Sequence, residues 1–237
     1  MRFEVCLITD IGCQRKNNED GFYINNMGAF NIENSFLYEK IESPFITFVA
    51  DGVGGSQQGE EATQLCIKTA MSSCVPEDDN ELIQLIDRMN KTVCETRKNI
   101  DTACTLAGLL VGDDSIHLFD VGDSKVFSLN QGYLNQLSVD DTAAGISGEY
   151  TTEKQPLLQY MGKANCFPHL TEINPSSMFL ICSDGLTDMV SIDEIEETVK
   201  ETKGNVKATA LQLVHKAKEN GGLDNITVII LSPVKED

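Results

Sequence analysis

A short apolar run ending in Asp-Gly occurs twice in this sequence, and the pair constrains the fold more than any other feature. Phe45-Ile46-Thr47-Phe48-Val49-Ala50 leads into Asp51-Gly52, and Met178-Phe179-Leu180-Ile181-Cys182-Ser183 leads into Asp184-Gly185. Each run is too short for a helix with a core of its own, so each reads as a buried strand. A carboxylate at the exit of a buried strand is held rigidly yet faces a loop. The glycine after it lets the backbone turn its own carbonyl toward whatever the carboxylate binds. Two strands delivering an Asp-Gly to one edge suggest a shared site for a hard cation.

The rest of the chain divides around these two points. Phe3, Val5 and Leu7 alternate as a first strand, and a polar loop from Asp10 to Asp20 carries Arg15 and Asn18-Glu19-Asp20. Residues 21–25 read as a second strand and 27–43 as an irregular connection. After the glycine-dense stretch Gly52-Val53-Gly54-Gly55, a helix starts near Gly59, with Ala62, Leu65, Cys66, Thr69, Ala70 and Ser73 at helical spacing. Pro76 breaks it. Leu82, Leu85, Ile86, Met89 and Val93 mark a second amphipathic helix.

Short strands follow over 102–111, 115–121, 125–129 and 133–138, divided by turn signals such as Gly122-Asp123 and Asn130-Gln131-Gly132. Residues 139–167 read as a surface loop or flap, and 170–173 with 178–183 as a hairpin around Asn174-Pro175. Ser191 and Glu194 have capping-box spacing, and Val206, Ala210, Leu213, Val214 and Ala217 form the stripe of a last helix. Asp224-Asn225 then opens a final strand over 226–231. This order is not alternating βαβ. It predicts an α+β protein with antiparallel sheets covered by helix pairs, in a single domain spanning 1–237.

Charge and cysteine usage narrow the partners. Eighteen Lys and Arg stand against 37 Asp and Glu, a formal charge of −19, which repels nucleic acid and anionic membranes. Eight cysteines without a Cys-x-x-Cys pattern, several at apolar-periodic positions, point to reduced thiols and a cytoplasmic protein. No apolar run approaches the roughly 20 residues of a membrane span, and the N-terminus has no signal-peptide core.

Five places join carboxylates to glycine or turn residues: Arg15-x-x-Asn18-Glu19-Asp20, Asp51-Gly52, Gly122-Asp123-Ser124, Asp184-Gly185 and Asp224-Asn225. Taken singly, each Asp is a turn or cap residue. Together they offer the oxygen ligands that Mg²⁺ and Mn²⁺ prefer, and Arg15 offers a planar fork for phosphate oxygens. His117, His169 and His215 lie outside every block, against a histidine-rich zinc site.

In this order, from Thr9-Asp10-Ile11-Gly12 to Leu223-Asp224-Asn225-Ile226-Thr227, the blocks resemble the metal-dependent Ser/Thr protein phosphatases of the type-2C (PPM) family. The likeness is to compact bacterial-type members, which carry Asp-Gly-x-Gly-Gly rather than Asp-Gly-His. It implies a four-layer α-β-β-α sandwich with the metals at one edge. It also implies hydrolysis of phosphoserine and phosphothreonine by a metal-bridging hydroxide, in signalling opposite a Ser/Thr kinase. On the matching positions Arg15 would hold the phosphate and Asp51 would bridge two Mg²⁺ or Mn²⁺ ions. Asp184 and Asp224 would complete the first ion's shell. The Gly52 carbonyl would bind the second, with Glu19 close by and Asp20 in support. Asp123, with Asp184, matches the position of a third ion.

Three departures stand out. Val53 replaces a histidine proposed as general acid in eukaryotic members, and Lys125 replaces the arginine of Gly-Asp-Ser-Arg. The connection after Ser138-Val139-Asp140-Asp141 is shorter than the family's flap and lacks its usual His after that Asp. A catalytically silent scaffold and a hydrolase of small phosphorylated metabolites are the rival readings.

Overall fold

Along the first strand, β1 (Arg2–Asp10), successive side chains enter different layers. Phe3, Val5 and Leu7 join one apolar cluster, and Cys6 and Ile8 join another. A strand buried on both faces must lie between two layers of structure. The structure, a computed structural model, describes residues 1–53, 58–130, 132–148, 155–174 and 178–234.

After β1 come β2 (Gly21–Ile24), β3 (Met27–Ala29), β4 (Asn34–Glu42), β5 (Phe45–Ala50), β6 (Gly52–Val53), α1 (Gly59–Met71) and α2 (Asp79–Arg97). The middle of the chain gives β7 (Ala103–Cys104), β8 (Leu106–Val111), β9 (Ile116–Val121), β10 (Lys125–Asn130), β11 (Tyr133–Gln136) and α3 (Ala143–Ser147). It closes with β12 (His169–Ile173), β13 (Met178–Cys182), α4 (Asp184–Thr187), α5 (Ile192–Glu201), α6 (Val206–Glu219) and β14 (Ile226–Pro233).

Two six-stranded antiparallel sheets result, with a two-stranded pair of β6 and β7 beside them. The first runs β11-β10-β13-β14-β1-β4 and the second β12-β9-β8-β5-β2-β3. Phe45 and Val49 of β5 meet Ile181, Ile229 and Leu231 between the sheets. Tyr23, Phe48 and Phe119 face outward with Leu82, Leu85 and Met89 of α2. On the opposite side Leu180, Val228 and Ile230 pack with Leu213, Val214 and Ala217 of α6. This is the α+β sandwich the sequence predicts, two antiparallel sheets flanked by helices.

Phe48 stacks on Tyr23 at 5.2 Å and meets Phe119 edge-on at 6.3 Å. Such pairs add about 0.5–1.5 kcal/mol each beyond their burial, and they seat the strand that ends at Asp51.

Four sequence expectations need correction. Residues 27–43 are not irregular, since they hold β3 and β4. The latter pairs only with β1 at the sheet's edge, so its outer face carries exposed Phe36, Tyr38 and Lys40, and exposed Glu39 interrupts the inner row of Leu37 and Ile41, which leaves no clean apolar period. The strand expected over 102–111 breaks at Thr105, which donates its N–H to Asp51 O at 2.8 Å and accepts from Asp51 N–H on Oγ1 at 3.1 Å. Strands β12 and β13 do not form a hairpin. One pairs with β9 and the other with β10 and β14, so they belong to different sheets. The expected loop after 139 contains α3, capped by Thr142 Oγ1 accepting from Gly145 N–H. Gly54-Gly55, Gln131 and Pro175, on which the sequence reading placed turns, lie outside the described residues, as do 149–154.

Candidate active site

Each of the five blocks reaches the same edge of the sandwich, where strands from both sheets end. Asp51 follows β5 of one sheet, while Asp184 and Asp224 flank β13 and β14 of the other. The order of strands therefore brings together carboxylates that are far apart in the chain.

The electrostatics register their meeting. Burial pushes the Asp51 carboxyl well above the ordinary range, and the charges of Asp20, Asp184, Asp123 and Asp224 push it further in the same direction. Asp20 rises to about 7, chiefly through burial, despite two hydroxyl hydrogen bonds that favour its charged form. Glu19 is also raised, first by burial and then by Glu60, while Asn17 and Arg15 act against the shift.

Asp20 is held by a buried hydroxyl network. Ser183 Oγ and Thr227 Oγ1 both donate to its Oδ2, at 2.7 and 2.8 Å. Thr227 N–H donates to Ser183 Oγ at 3.0 Å, and Thr9 Oγ1 lies 2.8 Å from Thr227 Oγ1. These partners come from β1, β14 and the end of β13, so the network also ties neighbouring strands together.

Asn225 fixes the loop that carries Arg15 and Glu19. Its Oδ1 accepts Glu19 N–H at 2.8 Å, and its Nδ2 donates to Ile11 O and Asn17 O, both at 3.0 Å. The amide uses its oxygen and both N–H donors in holding this loop. Gly52 pairs with Cys104 and lies so close to the same loop that a Cβ on it would come 2.8 Å from Glu19 O. Arg15 Nη2 donates to Asp224 Oδ2 at 2.6 Å, its side chain 48% exposed. Burial would lower its pKa, and Asp224, Glu19 and Asp51 together raise it.

Asp51 and the Gly122-Asp123-Ser124 turn share one relay. Thr105 Oγ1, which accepts from Asp51 N–H, lies 2.6 Å from Ser124 Oγ. Sequence reasoning did not single out Thr105, Asn225 or the Ser183–Thr227 pair as supports. The last three sit inside the quoted blocks, but a hydroxyl or amide in a motif carries no mark of its distant partner.

The donor set fits a hard divalent cation. It is all oxygen, burial and then the neighbouring carboxylates keep Asp51 from ionising, and added positive charge would relieve that resistance. No three His, Cys, Asp or Glu side chains among the described residues already close on one point as a metal-binding group.

A family model described as protein phosphatase 2C matches residues 35–215. The chain is 28% identical over 248 residues to the serine/threonine phosphatase stp of Listeria monocytogenes, covering 94% of this chain and 93% of that protein. The crystal structure of the serine/threonine phosphatase PstP/Ppp of Mycobacterium tuberculosis superposes with a TM-score of 0.80 at 25% identity, covering 99% of this chain and 100% of that one. The fold also matches the catalytic domain of PstP in complex with two manganese ions, with a TM-score of 0.77 at 24% identity over 98% and 100% of the two chains. The chain belongs to the protein phosphatase 2C family, as a compact bacterial-type catalytic domain and a hydrolase.

Proposed function

We propose that this chain removes phosphate from phosphoserine and phosphothreonine in protein substrates, using two Mg²⁺ or Mn²⁺ ions that share Asp51. The observation carrying this reading is the gathering of Asp20, Asp123, Asp184 and Asp224 around Asp51. The activity in the names of the relatives and the manganese ions of the PstP catalytic domain support it.

Asp51, the Gly52 carbonyl, Asp184 and Asp224 would hold the ions, with Glu19 directly or through water. Asp20 would support them, and Asp123 with Asp184 would take a third ion. Bound there, the metal supplies Lewis acidity, lowering the pKa of water and offsetting charge on the phosphoryl group. Arg15 binds the phosphate through its guanidinium fork, and its pairing with Asp224 stations it at the site. Asn225 orients the Arg15 loop, and the Asp20 hydroxyl network keeps β1, β13 and β14 in register beneath it. With Val53 in place of a histidine, protonation of the leaving group falls to water.

The eight unpaired thiols accord with work in a reducing cytoplasm, opposite a Ser/Thr kinase. Among the described residues no helix is long and apolar enough to cross a membrane.

The test is hydrolysis of p-nitrophenyl phosphate and of a phosphothreonine peptide, with chelator and with added Mn²⁺. Both should be cleaved with Mn²⁺ and neither in chelator. Cleavage of p-nitrophenyl phosphate but of no phosphopeptide would favour a small-metabolite hydrolase. Cleavage of neither with Mn²⁺ present would leave a silent scaffold.

A further inference from the structure

The segment after β11 returns along the Gly122-Asp123 turn and is stitched to it from both sides. Asp141 N–H donates to Gly122 O at 2.8 Å, and Gly122 N–H donates to Asp141 Oδ2 at 2.9 Å. One step back, Val139 N–H donates to Asp120 Oδ2 at 3.2 Å. Lys125, which follows the turn, forms an ion pair with Asp140. Asp141 also reaches outward. Its carbonyl accepts from Leu158 N–H at 2.7 Å, and its Oδ1 lies 3.0 Å from His169 Nε2 on β12.

A carboxylate that is 2% exposed, with both oxygens and both backbone groups in use, is a junction. A surface acid in an incidental contact would not be so fully engaged. It joins the turn, the root of the loop after β11, the 155–160 segment and the edge strand of the second sheet. Released from Asp141, the turn would be free to move on its glycine side while its other side stays anchored. Gly122 sits at φ +106, and the adjoining Ser124 is tied to Thr105, the residue that holds the Asp51 backbone. Neither the five sequence blocks nor the proposed ligand set includes Asp141 or His169.

We propose that Asp141 is a positioning residue for this active site. It fixes the Gly122-Asp123 turn, and through it the Asp123 carboxylate, while His169 keeps the Asp141 carboxylate aimed at Gly122 N–H. The proposal rests on reading Asp123 as a metal ligand, and Asp141 acts one step behind it. Partners of this kind typically change metal affinity or activity ten- to a hundredfold, roughly, when removed.

The test is Mn²⁺ binding by titration calorimetry, with the melting temperature of every variant recorded beside it. Asp123→Ala identifies the binding phase that depends on Asp123. In Asp141→Asn an amide NH₂ replaces one of the two accepting oxygens, so Gly122 N–H and a donating His169 Nε2 can no longer both be served. That variant should weaken the Asp123-dependent phase about tenfold or more, and should add nothing when built on Asp123→Ala. His169→Leu should weaken the same phase, and His169→Gln, which retains a donor, should restore it. A variant Asp141→Asn that melts earlier yet binds Mn²⁺ in that phase as tightly as the parent overturns the proposal. Equal weakening with and without Asp123 overturns it too. Should Asp141→Asn fail to fold, the His169 variants decide, and unchanged binding in His169→Leu refutes the role. A parent protein with no Asp123-dependent phase fails one step earlier, at the ligand assignment, and the proposal falls with it.

Discussion

Arg15 Nη2 and Asp224 Oδ2 lie 2.6 Å apart, although 209 positions separate the residues in the chain. The pair joins the residue proposed to grip phosphate to one proposed to hold metal. With the arginine half exposed, the bond contributes only about 0–1 kcal/mol to folding. Its importance is in aligning two functional groups.

Arg15→Ala should accordingly leave the melting temperature close to the parent's. It should raise KM, with a smaller fall in kcat if the phosphate contact is similar in the ground and transition states. Steady-state kinetics on a phosphopeptide decides this. A large loss of Mn²⁺ affinity with unchanged KM would reverse the roles given to Arg15 and its neighbours.

Asp51→Asn removes a charge that two ions are proposed to share. The expected loss is about a thousandfold or more in rate, several kcal/mol of transition-state stabilisation. Mn²⁺ affinity should fall as well. In chelator the variant should melt no earlier than the parent, because an amide avoids the cost that burial, and then the neighbouring carboxylates, place on a charge at this position. Near-parental turnover and metal affinity would remove Asp51 from the centre of the site.

A pH effect on stability follows from Asp20 and Asp120, each pushed up to about 7 mainly by burial. In the unfolded chain an aspartate titrates near about 3.9. Between those values the folded protein holds protons that the unfolded chain has released, so stability in chelator falls as pH rises through this window. Asp120→Asn removes one of these groups and keeps an acceptor for Val139 N–H. Its melting temperature relative to the parent should therefore climb as pH is raised from about 4 to about 8. A difference that does not vary with pH would show that Asp120 ionises as easily folded as unfolded.

Gly185→Ala should be more damaging than its single methyl group suggests. The new Cβ would be driven into the Asn225 carbonyl, which is backbone and cannot swing aside. Asp184 or Asn225 must then move. The expected result is weaker Mn²⁺ binding together with a lower melting temperature, read by calorimetry and thermal unfolding. Parental values for both would mean that the two Asp segments are not in close backbone contact.

The parts of the molecule legible in the sequence are those whose signal is local. The strands ending at Asp51 and Asp184 are continuous apolar runs, and the capping box at Ser191 and Glu194 forms as its spacing predicts. Edge strand β4 was hidden because one of its two neighbours is solvent, and solvent imposes no apolar period. The hairpin expected over 170–173 and 178–183 does not form, because a short link can either reverse a strand within a sheet or carry it across the core. The supports of the site were the least legible. Thr9 and Thr227 stand 218 positions apart, and only the finished sheet makes them neighbours.

The placement of β14 bears on when this protein becomes active during its synthesis. That strand lies inside its sheet, between β13 and β1, yet among the described strands it is the last to leave the ribosome. Until it emerges, β1 lacks a neighbour on one side, Asp20 lacks Thr227, and Arg15 waits for an Asp224 that has barely been translated. A nascent chain can build the second sheet early, but the phosphate-handling edge closes only when the two ends meet. Strand order thus makes the edge that carries Arg15 and Asp224 one of the last parts of the molecule to form.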